Sequence, residues 1–434
     1  MRAGQQVGTV GRIDPNHDAA LAAGSDRHVA ADQKCEATEH LLLAHAGLAT
    51  HQLADPVCEI FVVRHAASMR RRGCRTVAIV KRSVAAANNL TAAWFDAAGE
   101  GTAVLSGAGL WPLLAMLADV ADDETRAELT RAVAAARLPD ALEVLELLAS
   151  GTATSAALGL WVRDTVAVAP ELRARLPDGI VAPITDQSAL DAWAAAHTRG
   201  MIPAFPLQLQ PSDLLILATA LAAETEWVTP FTDTDGTLHR YGAQRSADIL
   251  GDNVIRVIVE GRDDLDVHLL SGADTLGTGI AALAGDVAAM PASELPIGTD
   301  RPGLRVREVS AATPGDLFRL TVPAFDISDA HDLTDHVDLF GLRTALDATR
   351  GHFPGLAPDT ALSRGRQSVR AQFSATGFRA AVITAFAFLA GSAPLPDEHL
   401  VRLLEIDFEP PFCFIAVHRS SGLVIVGGRI SATN

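Results

Sequence analysis

Residues that could carry out catalysis are scattered along the chain and form no recognisable motif. The sequence has no G-x-S-x-G nucleophile motif, no H-E-x-x-H zinc motif and no P-loop. "GTGIAALAG" (277–285) matches a dinucleotide fingerprint only loosely and is more typical of a turn and a helix. "TDTDGT" (232–237) could hold a metal ion, but a short pair of aspartates is more typical of a turn. The motifs therefore indicate no catalytic residue, no metal and no cofactor.

Cysteine and histidine, which commonly bind zinc, are concentrated in the first 82 residues. This part holds three of the four cysteines (Cys35, Cys58 and Cys74) and six of the fourteen histidines. Their spacings fit no ligand pattern, so a metal site is the less favoured of two interpretations. These residues also show no sustained period of 3.6 or 2, and so have no apolar face to bury. We predict a poorly ordered N-terminal extension over 1–82 and one folded domain over 83–434.

The charge distribution changes at the same boundary. Residues 1–82 have 11 Lys and Arg against 8 Asp and Glu, whereas the remainder has 24 against 44. The net charge of −17 argues against a nucleic-acid partner, because phosphate binding needs concentrated Lys and Arg. No window approaches the ~18 uninterrupted apolar residues of a membrane span. The first residues lack the apolar h-region of a secretory signal, so we expect a cytoplasmic location.

The elements that must position any site alternate between helices and strands. "VAAANNLTAAWFDAAG" places Leu90, Trp94 and Phe95 on one face, as in a helix. "DQSALDAWAAAHTRGMI" predicts a helix that ends at Gly200. The apolar runs "SDLLILATALAAETEW" and "VIRVIVEG" predict buried strands, and "FEPPFCFIAVHRSSGLVIVGGRI" predicts a hairpin. The predicted fold class is therefore α+β, in a single domain with large sheets.

The C-terminal hairpin also resembles the closing hairpin of the serpins, which has an F-x-x-P-F core followed by two strands around a tight turn. Other serpin-like segments precede it in the right order and at the right separations. They are "AVLSGAGLWPLLAMLADVADDETRAEL" with Thr125, "LDAWAAAHTRGMI" with Trp193, Thr198, Gly200 and Ile202, "LLILATALAAETEWVTPF" with Trp227, and "LTVPAFDISDAHDLTDHVDLFGLRTAL". The resemblance covers 83–434. It implies the serpin fold: a large central mixed sheet, two smaller sheets, several helices, and a reactive-centre loop before the C-terminal hairpin.

The resemblance also implies a partner, a serine or cysteine protease, and a set of site residues. Inhibitory serpins offer the loop as bait, and the cleaved loop then inserts into the central sheet as a new strand. The implied hinge is Gly377, Phe378, Arg379, Ala380 and Ala381. The implied scissile region includes Leu389, Ala390, Gly391, Leu395 and Leu400. The implied sheet-opening residues are Trp227, where the loop would enter the sheet, and Asp191 and Gln367, at the positions of an Asn–His pair beneath it. For Trp227, plain core packing is an equal alternative.

The hinge departs from the inhibitory serpin pattern, which is roughly E-x-G-T-E-A-A-A-A-T. The first inserting position is Phe378, and Val382 and Ile383 stand where Ala or Gly is usual. A Phe forced between close-packed strands costs about 1–3 kcal/mol, and ~1.4 kcal/mol is tenfold in rate. We therefore favour a non-inhibitory serpin scaffold. The alternatives are an active suicide-substrate protease inhibitor and a serpin fold recruited to small-molecule chemistry; an enzymatic activity is not favoured.

The run from 378 to 389 is unusually apolar for a loop. Only Arg379 is charged, and only Thr384 carries a hydroxyl. Alternate positions from Phe378 to Phe388 are Phe, Ala, Val, Thr, Phe and Phe, so one face can be buried almost without polar cost. We expect this segment to be covered in the resting protein by sheet insertion, by folding onto the body or by a partner.

Overall fold

A computed structural model of the chain describes residues 81–242, 247–272, 275–378 and 399–432. Most of the predicted N-terminal extension, with its three cysteines, lies outside these residues. The first described helix is already formed at residue 81, so the predicted boundary between 82 and 83 lies inside this helix. Lys81 and Arg82, the last two residues of the predicted extension, belong to this helix.

Helices and strands alternate along the chain as predicted. The helices are α1 (81–97), α2 (Gly107–Val120), α3 (Asp123–Ala132), α4 (Leu138–Ala149), α5 (Pro170–Arg173), α6 (Gln187–His197), α7 (Thr275–Ala284) and α8 (Val337–Phe340), with short 3₁₀ turns at Ala292–Glu294, Leu333–His336 and Thr344–Leu346. The strands are β1 (Ala103–Leu105), β2 (Thr154–Val162), β3 (Val181–Pro183), β4 (Leu215–Ala223), β5 (Thr225–Glu226), β6 (Thr232–Thr234), β7 (Thr237–Gly242), β8 (Ala247–Leu250), β9 (Val254–Glu260), β10 (Leu265–Ser271), β11 (Ala289–Pro291), β12 (Asp300–Arg301), β13 (Leu304–Ala311), β14 (Leu317–Pro323), β15 (Phe325–Asp332), β16 (Arg366–Phe373), β17 (Gly377–Phe378), β18 (His399–Asp407), β19 (Phe412–His418) and β20 (Leu423–Ile430).

Local sequence explains where several of these elements begin and end. Helix α3 starts at an Asp122 cap whose carboxylate accepts the Thr125 N–H at 3.0 Å. Its first turn is acidic and its last turn holds Arg131, which suits the helix dipole. Helix α6 ends before Gly200, whose φ of +77° favours glycine. Pro323 ends β14, as expected of a residue that cannot donate to a ladder.

The core of the fold is a seven-stranded sheet in the order β1-β20-β19-β10-β9-β8-β11. The predicted C-terminal hairpin is confirmed: β19 and β20 pair antiparallel, and every residue of β19 is buried. One face of this sheet is covered by α1 and α7, because a Cβ at Gly427 would lie next to Thr91 and Leu276. The other face carries Phe414, which packs on Phe325 with ring centroids 4.8 Å apart. The sheet is therefore covered on both sides.

A buried histidine in this sheet makes stability depend on pH. His268 in β10 is 5% exposed, and its Nδ1 has no hydrogen-bond partner. Burial, assisted by the nearby positive charge of Arg256, lowers the pKa of His268 to about 4, although Asp266 opposes the shift. Between pH 6.5 and 4 the unfolded chain therefore binds the proton more readily than the folded chain. We expect this histidine alone to remove about 3 kcal/mol of stability as the pH falls through that window.

Urea unfolding of the wild type and of His268→Leu at several pH values measures this effect. The free energy of unfolding of the variant should fall less steeply from pH 6.5 to pH 4 than that of the wild type. Burial also lowers the pKa of His418, but His418 is present in both chains and cancels in the comparison. If the free energy of unfolding depended on pH equally in both chains, His268 would be charged or solvated in the folded state.

A six-stranded sheet packs beside the core in the order β12-β13-β18-β14-β7-β6. In β14 the alternate residues Phe318, Leu320 and Val322 are buried, as a period of two requires. In the middle of this sheet the Glu405 carboxylate is almost fully buried. It accepts hydrogen bonds from Arg307 and forms an ion pair with Arg319. The hydrogen bond from Arg307 is the largest of the effects that hold the pKa of Glu405 below its usual range.

The predicted central sheet is present in two parts. One has the order β15-β16-β17-β5, and the other has the order β3-β2-β4. Only Glu224 separates β4 from β5 along the chain, so the two parts continue one another. Toward the Arg366 end of β16, β4 and β16 lie on opposite sides of a cavity, and no strand pairing joins them in the described residues. A gap therefore separates the two parts of the central sheet here.

Candidate functional site

Trp227 lies at the upper end of the gap between the two parts of the central sheet. Its side chain is fully buried, and its Nε1–H donates to the Ser374 carbonyl at 2.8 Å. Its backbone N–H donates to the Thr376 carbonyl at 2.9 Å. Its ring lies 4.9 Å from the ring of Phe373. Trp227 is thus a core residue that also holds the turn after β16, and its role where a loop would enter the sheet stays a prediction.

The two described hinge residues form the short strand β17 next to Trp227. Gly377 pairs with Glu226, and Phe378 pairs with Thr225 on one side and with Phe373 on the other. A Cβ at Gly377 would lie 2.3 Å from the Thr225 carbonyl oxygen, so only glycine fits there. The Phe378 side chain is 3% exposed. Gly377 and Phe378 are therefore already part of the sheet.

A cavity of about 280 Å³ continues below Phe378. It is bordered by β4 on one side and by Arg366–Arg370 of β16 on the other. The floor of the cavity is α2 and the core behind it. The apolar residues that line this lower part are Leu114, Leu117, Leu333, Leu342, Phe353 and Leu356. The cavity is therefore long, follows the direction of a strand and is mostly apolar.

Polar side chains from both borders of the gap meet at the first turn of α2. The Gln367 side chain accepts the Ser106 N–H at 2.9 Å and donates to the Ser106 carbonyl at 2.9 Å. From the opposite strand, the Thr219 hydroxyl donates to the Gly109 carbonyl. The Ser106 hydroxyl caps the helix by accepting the Gly109 N–H at 3.0 Å. Side chains from both borders of the gap therefore meet at the same point.

Asp191 lies elsewhere, in the helix α6. Its carboxylate accepts the Phe205 N–H at 2.8 Å and the Gln187 side-chain amide at 2.9 Å. The Gln187 side chain also accepts the Leu209 N–H at 2.7 Å. Asp191 therefore fixes the segment after α6 to the helix. None of its described hydrogen bonds reaches Gln367.

The structure places four of the predicted site residues around the gap. Trp227, Gly377 and Phe378 come together at the top of the gap, and Gln367 borders it lower down. The remaining hinge residues and most of the scissile region lie outside the described residues: Arg379, Ala380, Ala381, Leu389, Ala390, Gly391 and Leu395.

Leu400, which the resemblance places in the scissile region, lies in β18 and pairs with Ser310 of β13. The segment forms a strand because Val401, Leu404 and Ile406 are buried there, while Leu400 itself is 73% exposed at the start of the strand. A protease would have to open this strand before it could cleave at Leu400.

Sequence reasoning missed Thr219, Phe231 and Arg240. Arg240 is 5% exposed, its guanidinium lies 3.9 Å from the centre of the Phe231 ring, and its Nε and Nη2 have no hydrogen-bond partner. Burial lowers the pKa of Arg240 to about 10, and the charge of Glu260 opposes this. Phe231 in turn packs on Trp227. An inward-facing arginine in "TLHRYG" at alternating positions was the available signal.

Other candidate sites from the sequence are structural. "TDTDGT" forms the β6–β7 turn, in which Asp233 accepts the Gly236 N–H at 2.9 Å. Residues 277–284 belong to α7. Among the described residues, no three His, Cys, Asp or Glu side chains are grouped so that they could hold a metal ion. None of the helices in this part of the chain combines the length and apolarity needed to cross a membrane.

Solved structures with the same architecture are serpins. Native Tengpin, a thermophilic serpin, is 16% identical, covers 82% of this chain and 94% of its own, and superimposes with a TM-score of 0.58. Thyroxine-binding globulin in complex with thyroxine is 16% identical (80% of this chain, 98% of that chain, TM-score 0.57). Native protease nexin-1 with heparin is 13% identical (82% and 100%, TM-score 0.59). No protein-family model and no curated protein matches the sequence.

The chain therefore has the serpin fold, as the resemblance implied. At these identities the likeness establishes the fold alone. It also does not separate conformational states, because the latent state of Tengpin superimposes with the same TM-score of 0.58 as the native state.

Proposed function

We propose that this protein is a non-inhibitory serpin scaffold. The observation that carries the proposal is the position of Phe378. This bulky residue, the first after the hinge glycine, is buried between β5 and β16 before any cleavage. An inhibitory serpin must move this part of its hinge rapidly into the sheet after cleavage. Here the largest side chain of the hinge already holds a place in the sheet.

The residues that follow support the same conclusion. Val382 and Ile383 are β-branched, and a small misfit at each step of insertion costs on the order of 1–3 kcal/mol. Because ~1.4 kcal/mol is tenfold in rate, such a cost is enough for hydrolysis of the acyl-enzyme to overtake insertion. Cleavage by a protease should then release an active protease and a cut chain.

One observation favours the alternative, an active protease inhibitor. The gap between β4 and β16 is the space that an inserting strand needs, and the inhibitory mechanism depends on such a space. The gap is necessary for inhibition, but it does not indicate how fast a cleaved loop would insert. The sizes of the hinge residues do bear on that rate. We therefore rank the inhibitor second.

The experiment is incubation with a panel of serine and cysteine proteases, followed by electrophoresis in hot detergent. We expect cleavage of the chain without a covalent complex. The matched control is the triple variant Phe378→Thr, Val382→Ala and Ile383→Ala, whose smaller residues should insert faster. A covalent complex formed by the wild-type chain with any protease of the panel would overturn the proposal.

A further inference from the structure

We propose that Arg364 and Asp213 form an ion-pair lock that holds the two borders of the gap together at its lower end. Both residues line the cavity: Asp213 lies just before β4, and Arg364 lies just before β16. The Arg364 Nη2 lies 2.6 Å from Asp213 Oδ1 and 2.7 Å from Oδ2. The inference rests on the proposed function, since it names what keeps the sheet of a resting scaffold at one spacing.

The burial of this pair distinguishes it from an ordinary surface ion pair. The side chain of Asp213 is 9% exposed, and that of Arg364 is 29% exposed. The Asp213 carboxylate also accepts the Gln210 N–H at 2.7 Å, and Arg364 Nη1 donates to the Gln208 carbonyl at 3.1 Å. Exposed ion pairs contribute little to stability, whereas breaking a buried pair leaves an uncompensated charge. Opening the lock would therefore leave a covered carboxylate without its cation.

Asp213 is fixed to the part of the sheet that contains β2 and β4. Arg163, which follows β2, donates its backbone N–H to the Leu214 carbonyl at 3.0 Å and its Nε–H to the Asp213 carbonyl at 2.8 Å. Its Nη2 donates to the Gln210 carbonyl at 3.0 Å. The turn at 210–213 therefore moves together with these two strands.

Arg364 is fixed to the part of the sheet that contains β15 and β16. The next residue, Gly365, accepts the Leu333 N–H at 2.8 Å, and Leu333 begins the 3₁₀ turn after β15. A Cβ at Gly365 would lie 3.1 Å from the Leu333 side chain, so the two segments are in close contact. Arg366 adds an ion pair with Asp332 of β15 at 3.4 Å. Separating the lower ends of β4 and β16 must therefore break the lock.

The lock complements the contacts at the other end of the gap. There β17 pairs with β5 on one side and with β16 on the other. Between the two ends, Thr219 and Gln367 bond to the first turn of α2. We therefore expect the lock to decide how readily the lower ends of β4 and β16 move apart.

Amide hydrogen exchange in a double-mutant cycle tests the lock. The variants are Asp213→Asn, Arg364→Gln and the double variant, all in the full-length chain. We expect each single substitution to accelerate exchange in 214–218 and in 365–369 by about tenfold or more, because hydrogen bonds to charged groups are the stronger kind. The double variant should exchange at about the rate of the faster single variant, since both substitutions break the same pair.

Arg370→Gln is the matched control. Arg370 belongs to β16, but it pairs with Asp326 of β15, inside one part of the sheet. This substitution should leave exchange in 214–218 unchanged.

Three results would overturn the inference. Exchange at the wild-type rate in both single variants would show that the pair holds nothing, and effects that multiply in the double variant would show that the two residues act independently. An equal acceleration in β19 would show that stability is lost throughout the domain and not at the gap. A covalent protease complex of the wild-type chain would defeat the proposed function and leave these exchange rates as they are.

Discussion

Replacing Trp227 with alanine is expected to lower the free energy of unfolding by about 3–5 kcal/mol, because the change empties a fully buried site. The loss should extend to the hinge, since the same residue bonds Ser374 and Thr376 and packs on Phe373. We therefore expect two measurable effects. The urea midpoint falls, and amide exchange of 374–378 becomes faster under native conditions.

A matched control separates the two effects. Trp111 is also fully buried, but it lies in α2 and its Nε1 has no hydrogen-bond partner. Trp111→Ala should cost a similar amount of stability and leave exchange at the hinge unchanged. If both variants affected the hinge equally, Trp227 would be a core residue without a special role at the gap.

Replacing Phe378 with alanine is expected to release the segment that follows it. Phe-to-Ala substitutions in cores cost about 3–5 kcal/mol. If the substitution lowers the free energy of local opening at 379–389 by about 3 kcal/mol, cleavage there by a low concentration of thermolysin should accelerate ~100-fold. Phe340→Ala is the control, because Phe340 is equally buried but packs on Trp94, in a separate part of the core.

The control should lose comparable global stability with no selective cleavage within 379–389. Cleavage of the Phe378→Ala chain at the wild-type rate would mean that the Phe378 side chain does not anchor this segment. The packing of its ring near Phe414, at 6.4 Å between centroids, would then be incidental to the hinge.

Most of the fold could be predicted because its signals are local. The apolar run of β9, the end of α6 before Gly200 and the turn of the C-terminal hairpin each arise from a few consecutive residues. The order of these elements then agreed with one known fold. The top of the site followed from the same resemblance, through Trp227 and Gly377.

The polar contacts of the gap could be predicted only in part: the resemblance pointed to Gln367, but its contacts depend on three distant segments. Thr219, Gln367 and Ser106 each have an ordinary local sequence, and only tertiary packing brings them to the first turn of α2. Leu400 was misplaced for a related reason. An alternating run beside an expected loop has no local mark that separates it from the loop, and β13 supplies the partner that makes it a strand.

Amide hydrogen exchange of residues 380–386 in the uncleaved wild-type chain most directly tests the central claim, a non-inhibitory scaffold whose apolar segment is covered before cleavage. The account predicts much slower exchange than in an unstructured peptide, because covered backbone amides are protected. Exchange at the rate of an unstructured peptide would contradict it. The segment would then be an exposed bait loop, and the protease-inhibitor alternative would become the better description of this protein.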